Sequence, residues 1–364
     1  MLIKNLRIEN FRNFSFEEIN FSDKVNIFYG KNGQGKTNLL EAVNYFTNGK
    51  SCRNNQREKD VIKFGEKSCS LAGEFELKSK NGQARQVYEK IDLSNKKSIY
   101  INGSPVEKLS EILGIIDTVL FMSEDLNYIL GAPSLRREYI DSFLSKNKPG
   151  YFKLLSAYIY VLKQKNNILK EKNVNGGQLE IYNEKLFEYG SKLCQVREKF
   201  IKVFSAYASE IYSKISEEKE KIEFIYKPSI ENFGDREFFL NELEKEKEKE
   251  LVLGTSLKGA HRDDISILIN GKSARFFASQ GQLRSIVLAM KTAESEIIKE
   301  TKGEYPIILL DDVFSELDEE RRRFLLESLS GKQVIITLTN ADVGRQMSDV
   351  KYFEIENGKI IKKT

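Results

Sequence analysis

Residues 30–37 read GKNGQGKT and match GxxxxGK[ST], the phosphate-binding loop (P-loop) pattern. Glycines let the backbone wrap closely around phosphate oxygens, and N–H groups at a helix N-terminus attract the anion. Lys36 is expected to reach the β- and γ-phosphates as a catalytic lysine, and Thr37 to coordinate Mg²⁺. The alternative is a glycine turn that holds no nucleotide. The residues predicted to contact ATP are Gly30, Lys31, Asn32, Gly33, Gln34, Gly35, Lys36 and Thr37.

The segments around this loop predict an α/β protein. A short β-rich run, Val25–Tyr29, precedes the loop, and an apolar-periodic stretch beginning at Thr37 indicates a helix after it. The all-apolar run at residues 307–310 is typical of a strand in a sheet buried on both faces. Turn signals stand at Asn81-Gly82 and Asn102-Gly103. Further strands are predicted at residues 2–8, 71–77, 87–93, 97–101, 265–269, 334–338 and 352–355, and a further helix at 319–329.

Residues 135–250 change to helical periodicity. One apolar stripe runs from Tyr151 to Ile168, and a longer one with alternating spacings of three and four follows the breaker at residues 175–177. The longer stripe is a heptad seam formed by Leu179, Tyr182, Leu186, Tyr189, Leu193, Val196, Phe200, Val203 and Tyr207. It predicts either an antiparallel helical arm or an ordinary amphipathic bundle. The expected architecture is therefore a body made of residues 1–130 plus 251–364, with residues 131–250 inserted as a helical arm or lobe.

Two carboxylates end the buried strand predicted at residues 307–310. Asp311 is expected to hold Mg²⁺, usually through water, and Asp312 to act as the catalytic base or orienter of an attacking water. On its own, this pattern is equally consistent with a strand that runs into an acidic turn. The P-loop far upstream makes the metal-nucleotide interpretation the stronger one.

A second candidate phosphate site is SQGQ at residues 279–282, at the start of a predicted helix; it is called the signature-like motif below. Ser279 is a good N-cap and Gly281 allows close backbone approach, so Ser279, Gly281 and Gln282 are predicted to contact nucleotide. An ordinary capped helix is the alternative. Residues 315–318, SELD, have the spacing of a D-loop. Together these motifs resemble the ABC ATPase plan, which implies a head-to-tail dimer in which one copy's P-loop and the other's signature serine share each ATP.

Composition excludes several classes of protein. A single histidine, His261, excludes multi-histidine metal sites, and three widely spaced cysteines support neither a zinc site nor a disulfide framework. His261 lies beside an acidic pair, which leaves open a catalytic or a core role. No apolar run approaches the ~18 residues of a membrane span, and the first residues lack a signal peptide's apolar stretch. We expect a soluble, cytoplasmic protein that binds no membrane.

Nucleic acid is not indicated by the net charge of +4, but the charge is unevenly distributed. Residues 146–172 carry seven lysines and one glutamate, which gives a surface that could attract backbone phosphates. Solvation of an ordinary helix is the alternative. Residues 50–57, just after the P-loop helix, form a second candidate. The predicted DNA contacts are Arg53, Arg57, Lys153, Lys163 and Lys165.

Motifs in order along nearly the whole chain resemble the RecF family of bacterial recombination mediators, which is related to SMC head domains. They are LRIENFRN at residues 6–13, GKNGQGKTNLLEA at 30–42, SEDL at 123–126, GAP at 131–133, RREYID at 136–141, GAHRDD at 259–264, FASQGQLRS at 277–285 and LLDDVFSELD at 309–318. The resemblance implies an ABC-type ATPase head with a helical second lobe. It also implies an ATP-dependent homodimer and slow, DNA-stimulated ATP hydrolysis that serves as a switch.

The same resemblance implies binding to DNA at gapped sites, whether through single strands or duplex. RecO and RecR are the implied partners in helping RecA to load during DNA repair, replication restart and the SOS response. Competing interpretations are a P-loop kinase or transferase, which the signature-like motif disfavours, and a transporter energy subunit. The absence of a histidine from residues 337–340, TLTN, disfavours the transporter.

Some positions depart from the family pattern. Ser123 and Ala260 stand where proline is usual, and Leu283 replaces a common glutamine. Asp312 stands where many ABC ATPases carry glutamate, which agrees with weak turnover. Gln56 is the candidate for the Q-loop glutamine.

Overall fold

A computed structural model of the chain describes residues 1–53, 57–77, 83–92, 97–107, 114–171, 176–340, 347 and 349–363. The chain forms two units, one comprising Met1–Asp125 with Met290–Thr364 and the other Leu126–Ala289. The Asn81-Gly82 turn and Gln56 lie outside the described residues. No helix in the described part of the chain is long and apolar enough to cross a membrane.

The first unit contains two six-stranded sheets. Its strands are β1 (Leu2–Phe11), β2 (Phe14–Asn20), β3 (Val25–Tyr29), β4 (Ser68–Leu77), β5 (Gln83–Asp92), β6 (Lys97–Ile101), β7 (Ser104–Pro105) and β8 (Thr118–Phe121). The strands β9 to β11 belong to the second unit: β9 (Ile222–Lys227), β10 (Asp264–Ile269) and β11 (Lys272–Ser273). The first unit continues with β12 (Ile307–Asp311), β13 (Val334–Leu338), β14 (Val350–Glu356) and β15 (Lys359–Lys363).

The antiparallel sheet of the first unit has the order β2-β1-β4-β5-β6-β7. Along β1, Leu6 and Ile8 are buried whereas Arg7 and Glu9 are exposed, the alternation expected of a sheet with one covered face. Helix α1 (Lys36–Asn48) contributes buried side chains, including Val43 and Phe46, to the same hydrophobic core.

The second sheet has the order β15-β14-β3-β13-β12-β8, and all its pairs are parallel except β14 with β15. The apolar residues 307–310 are all buried, as predicted for a sheet covered on both faces. Parallel strands end at one edge of a sheet. The loop after β3, the acidic end of β12 and the residues after β13 therefore meet at that edge.

Helices dominate the second unit. They are α2 (Asn127–Leu130), α3 (Pro133–Asn147), α4 (Tyr151–Leu169), α5 (Gly176–Ile215), α6 (Arg236–Leu253) and α7 (Ala274–Phe277). Helix α8 (Gln280–Lys302) begins in this unit and ends in the first, which also holds α9 (Glu319–Ser328). Helix α5 packs against α4, α6 and β9. Its surroundings agree with a packed lobe better than with a free arm.

The predicted heptad seam follows α5 only in its first half. Leu179, Leu186 and Leu193 are buried as predicted, but Val203 is 48% exposed whereas the adjacent Phe204 is 1% exposed. A straight helix has 3.6 residues per turn and drifts by about 20° per heptad from a strict 3.5-residue repeat. The buried face consequently shifts by one residue after Leu193.

The boundary predicted at residue 251 differs from the structure. Strand β10 pairs with β9 in the three-stranded sheet β11-β10-β9, and α7 packs on β10. These contacts place residues 251–289 in the second unit rather than in the first. Sequence periodicity did not reveal this, because strand signals at each end of the helical region look alike.

Candidate nucleotide site

The P-loop follows β3 directly and leads into α1. A Cβ at position 30 would lie 2.3 Å from the backbone oxygen of Ile355, a contact that only glycine avoids. Gly35 has φ of +113°, and a Cβ there would lie 2.4 Å from the side chain of Asn13. The glycine pattern therefore reflects close packing of this loop.

Lys36 lies buried beneath the loop that precedes it. Its Nζ donates hydrogen bonds to the carbonyl oxygens of Gly30 at 2.6 Å and Lys31 at 2.9 Å. Burial lowers the pKa of Lys36, and the charges of Asp312 and Asp311 oppose this shift. The ammonium thus sits within the loop, close enough to Asp311 and Asp312 for their charges to act on it.

Thr37 and Asp311 meet at the carboxyl edge of the sheet. The Thr37 hydroxyl donates to Oδ1 of Asp311 at 3.1 Å, although 274 positions separate the two residues. Hydroxyl and carboxylate oxygens suit Mg²⁺, which usually takes only one or two protein ligands together with phosphates and water. Within the described ranges, no group of three or more His, Cys, Asp or Glu side chains could hold a metal. A hydroxyl and a carboxylate at this edge fit a magnesium ion that takes its other ligands from a nucleotide and water.

Asp312 lies next to this pair, with an unusual backbone. Its φ of +51° places it in the left-handed region, which is uncommon for residues other than glycine. Burial raises the pKa of its carboxyl group, while the charge of Lys36 lowers it and that of Asp311 raises it. A carboxylate held close to Lys36 suits the predicted role in orienting or deprotonating water.

Two residues of this site escaped prediction. Thr337 donates from Oγ1 to Oδ1 of Asp311 at 2.7 Å, so two hydroxyls converge on one carboxylate oxygen. Asn13, in the turn between β1 and β2, donates to the Gln34 carbonyl at 3.1 Å and accepts from Asn38 at 2.9 Å. The sequence signal for Thr337 was a polar residue within an apolar strand. The signal for Asn13 was the polar turn NFRN at residues 10–13.

Arg53 lies against the P-loop helix. It donates to Oδ1 of Asn38 at 2.6 Å and forms an ion pair of 3.2 Å with the fully buried Glu41, which also pairs with Arg12. The bonds through Asn38 and Asn13 connect Arg53 to the backbone of the P-loop. Arg57 is more exposed and pairs with Asp60.

The signature-like motif belongs to the second unit. Gln282 N–H donates to the Ser279 hydroxyl at 3.2 Å, and Ser279 N–H donates to the Gln282 side chain at 2.7 Å. This reciprocal capping box confirms Ser279 as the N-cap of α8. Ser279 is exposed, whereas Gly281 and Gln282 are partly buried. Contact of these residues with a phosphate stays a prediction.

The lysine-rich helix α4 does not expose all its lysines. Lys153 and Lys163 are exposed, but Lys165 is fully buried and forms an ion pair of 2.7 Å with Glu250. Burial lowers the pKa of Lys165, and the charge of Glu250 opposes this. The prediction that Lys165 contacts DNA is wrong, because its charge is already neutralised in the interior.

His261 has a structural environment. Its Nδ1 lies 2.8 Å from the Tyr158 hydroxyl and its Nε2 lies 3.1 Å from the Ser256 carbonyl. Burial lowers the pKa of His261 to about 4, so the ring is neutral at physiological pH. Both ring nitrogens have partners, which favours the core role over a catalytic one.

Comparison with known proteins identifies the family of the chain. Residues 2–361 match the family model described as RecF/RecN/SMC N terminal domain. The chain is 38% identical to the DNA replication and repair protein RecF of Ruminiclostridium cellulolyticum, with 99% of each protein covered. It is 39% identical, with the same coverage, to the protein of that name from Clostridium acetobutylicum.

Solved structures give the same result for the fold. A structure of the recombination mediator protein RecF-ATPrS in the RecFOR pathway superimposes with a TM-score of 0.90 at 35% identity, covering 100% of this chain and 98% of that one. An SMC head bound to the C-winged helix domain of ScpA shares the fold, with a TM-score of 0.59 at 18% identity over 98% of this chain and 95% of the other. The chain therefore belongs to the RecF family of DNA replication and repair proteins.

Proposed function

We propose that this chain is an ATP-dependent, DNA-binding recombination mediator whose weak ATP hydrolysis works as a switch. The contact of Thr37 with Asp311, beside Lys36, is the observation that carries the proposal. It joins the two motifs that a magnesium-nucleotide site requires. The relative whose structure is described as RecF-ATP supports ATP as the nucleotide; it is 35% identical over the full length of this chain.

Each residue at the sheet edge would have a separate role in binding or hydrolysing ATP. Lys36 would exchange the carbonyls of Gly30 and Lys31 for phosphate oxygens, and Thr37 and Asp311 would hold Mg²⁺. The metal, when bound, neutralises charge that develops on the phosphates. Asp312 would orient the attacking water and accept its proton.

We further propose that ATP joins two copies of the chain. Ser279 caps the exposed N-terminus of a long helix, where unsatisfied N–H groups favour an anion. Each signature-like cap would meet the triphosphate bound by the other copy, and hydrolysis would release the pair. The ATPase head would comprise the P-loop unit, and the second unit would carry the signature-like motif.

Family membership supports the biological partners. Two solved relatives are described as recombination mediator proteins in the RecFOR pathway, so we propose RecO and RecR as partners and RecA loading at gapped DNA as the outcome. Roles in replication restart and the SOS response, and a cytoplasmic location, belong to the same proposal.

Sedimentation with and without ATP tests the central claim. The wild-type protein should dimerise with ATP but not with ADP, and its affinity for gapped DNA should rise in parallel. Ser279→Arg should bind ATP normally yet stay monomeric, because a bulky cation would occupy the helix cap. The matched control is Lys272→Arg, an exposed position in the same unit. An ATP-dependent dimer of Ser279→Arg would contradict the shared-nucleotide arrangement.

A further inference from the structure

Strand β13 contains a polar residue where its surroundings favour apolar ones. All five of its residues, VIITL, are buried, and Thr337 is fully so. A hydroxyl buried without a hydrogen-bond partner destabilises the folded state, so a buried threonine is expected to have one. The positions of its partners indicate what Thr337 does.

The Thr337 hydroxyl bonds to both members of the acidic pair. Its Oγ1 donates to Oδ1 of Asp311 at 2.7 Å and accepts from the backbone N–H of Asp312 at 3.1 Å. The carbonyl of Leu310 also lies 3.4 Å from Oγ1, which is a longer contact. One side chain thus holds the carboxylate of one acidic residue and the backbone of the next.

One contact bears on the orientation of the Asp311 carboxylate, and the other on the backbone conformation of Asp312. Oδ1 of Asp311 also accepts from Thr37, so the Thr337 bond fixes the face that this carboxylate turns toward the P-loop helix. The N–H of Asp312 belongs to a residue with φ of +51°, a conformation that requires support from its surroundings.

We propose that Thr337 is a positioning residue for the magnesium-nucleotide site. Its hydroxyl orients Asp311 toward the metal and holds Asp312 in its left-handed conformation, without itself touching nucleotide or metal. This inference rests on the proposed function, because it assigns Thr337 to the site that would handle Mg-ATP.

Strand pairing does not require the hydroxyl. Asp311 and Thr337 are partners in the parallel register of β12 and β13, and the Asp312 N–H also bonds to the backbone carbonyl of Thr337 at 3.2 Å. Thr337→Val keeps the shape, the β-branching and these backbone bonds. It removes only the hydroxyl, and Thr337→Ser restores it.

The test measures how ATP binding depends on Mg²⁺, using a fluorescent ATP analogue titrated at increasing free Mg²⁺. Loss of a hydrogen-bond partner behind a metal ligand typically weakens metal affinity by about 10–100-fold. Thr337→Val should therefore raise the half-saturating Mg²⁺ concentration by about tenfold or more. Thr337→Ser should stay within about threefold of wild type, and binding of the analogue in EDTA should be equal in all three proteins.

Several outcomes would overturn the inference. A Thr337→Val protein with the wild-type Mg²⁺ dependence would do so, as would a Thr337→Ser protein shifted as far as the valine variant. If the valine variant does not fold, Thr337→Ala, which is smaller and also lacks the hydroxyl, is compared instead with the same expectations. Wild-type binding that ignores Mg²⁺ would contradict the proposed function itself, and the inference with it.

Discussion

Lys165 and Glu250 form an ion pair in which Nζ and Oε2 are 2.7 Å apart and neither side chain is more than 1% exposed. Ser256 lies beside the pair and donates to the other oxygen of Glu250 at 3.0 Å. A buried ion pair is a poor candidate for binding DNA but a sensitive point for stability. Removing one partner leaves the other charge buried without a compensating charge.

Lys165→Met should therefore lower the free energy of unfolding by about 3–5 kcal/mol, measured by urea denaturation. The control Lys163→Met, two positions away and exposed, should change it by less than about 0.5 kcal/mol. Equal stability of both variants would show that the Lys165–Glu250 pair does not contribute.

The exposed lysines of α4 are the ones expected to attract DNA. Replacing Lys153 and Lys163 with Gln should weaken DNA binding and flatten its salt dependence, because fewer counterions are released. The slope of log affinity against log salt should fall by about 0.7–0.9 for each lysine that neutralises a phosphate. Filter binding across a salt series measures this. Lys202→Gln, also exposed in the second unit, serves as the control, and an unchanged slope would exclude α4 from the interface.

Glu89 should make stability depend on pH. Its side chain is 1% exposed, and burial raises its pKa to about 7, although Lys97 lies 3.6 Å away and opposes the shift. Because the folded protein holds this proton more tightly than the unfolded chain, the contribution of Glu89 is fully present below about pH 4.5. It is lost as pH rises through about 7, and the loss amounts to roughly 3 kcal/mol.

Glu89→Gln should remove that decline, so the variant gains stability relative to wild type at pH 8 but not at pH 4.5. Urea denaturation at both values measures the difference. Glu9→Gln, an exposed carboxylate on β1, should follow the wild-type profile. The assignment fails if Glu89→Gln keeps the wild-type dependence on pH.

Asp312→Asn should slow ATP hydrolysis by about 100-fold, because the amide cannot accept the proton of the attacking water. Dimers should accumulate with ATP, since hydrolysis no longer releases them. Turnover assays and sedimentation measure the two effects. Asp23→Asn, a surface carboxylate paired with Lys4, is the control. Normal turnover in the Asp312→Asn variant would show that Asp312 does not accept the proton of the attacking water.

Motifs whose spacing follows from chemistry predicted the core of the site. The P-loop and the acidic strand stand far apart in sequence, yet Thr37 meets Asp311, because parallel strands bring their carboxyl ends to one edge. The roles of Thr337 and Asn13 were not predictable in this way. Each makes hydrogen bonds to residues that are distant in sequence, and no periodicity marks such bonds.

Charge and periodicity predicted surfaces less well. Lys163 and Lys165 both belong to a basic run, but two residues are ~200° apart on a helix, so one faces solvent and the other the interior. Composition cannot distinguish Lys163 from Lys165 unless it is known which face of the helix packs against the rest of the unit. The seam through Val203 failed for a related reason, since a small difference in period accumulates along a helix of 40 residues.

The position of β3 has a consequence for the newly made protein. The strand that leads into the P-loop pairs on one side with β13 and on the other with β14, both contributed by residues 334–356. During synthesis, the first thirty-seven residues emerge long before these neighbours exist. Strand β3 therefore gains both of its sheet neighbours only after residue 356 has been synthesised.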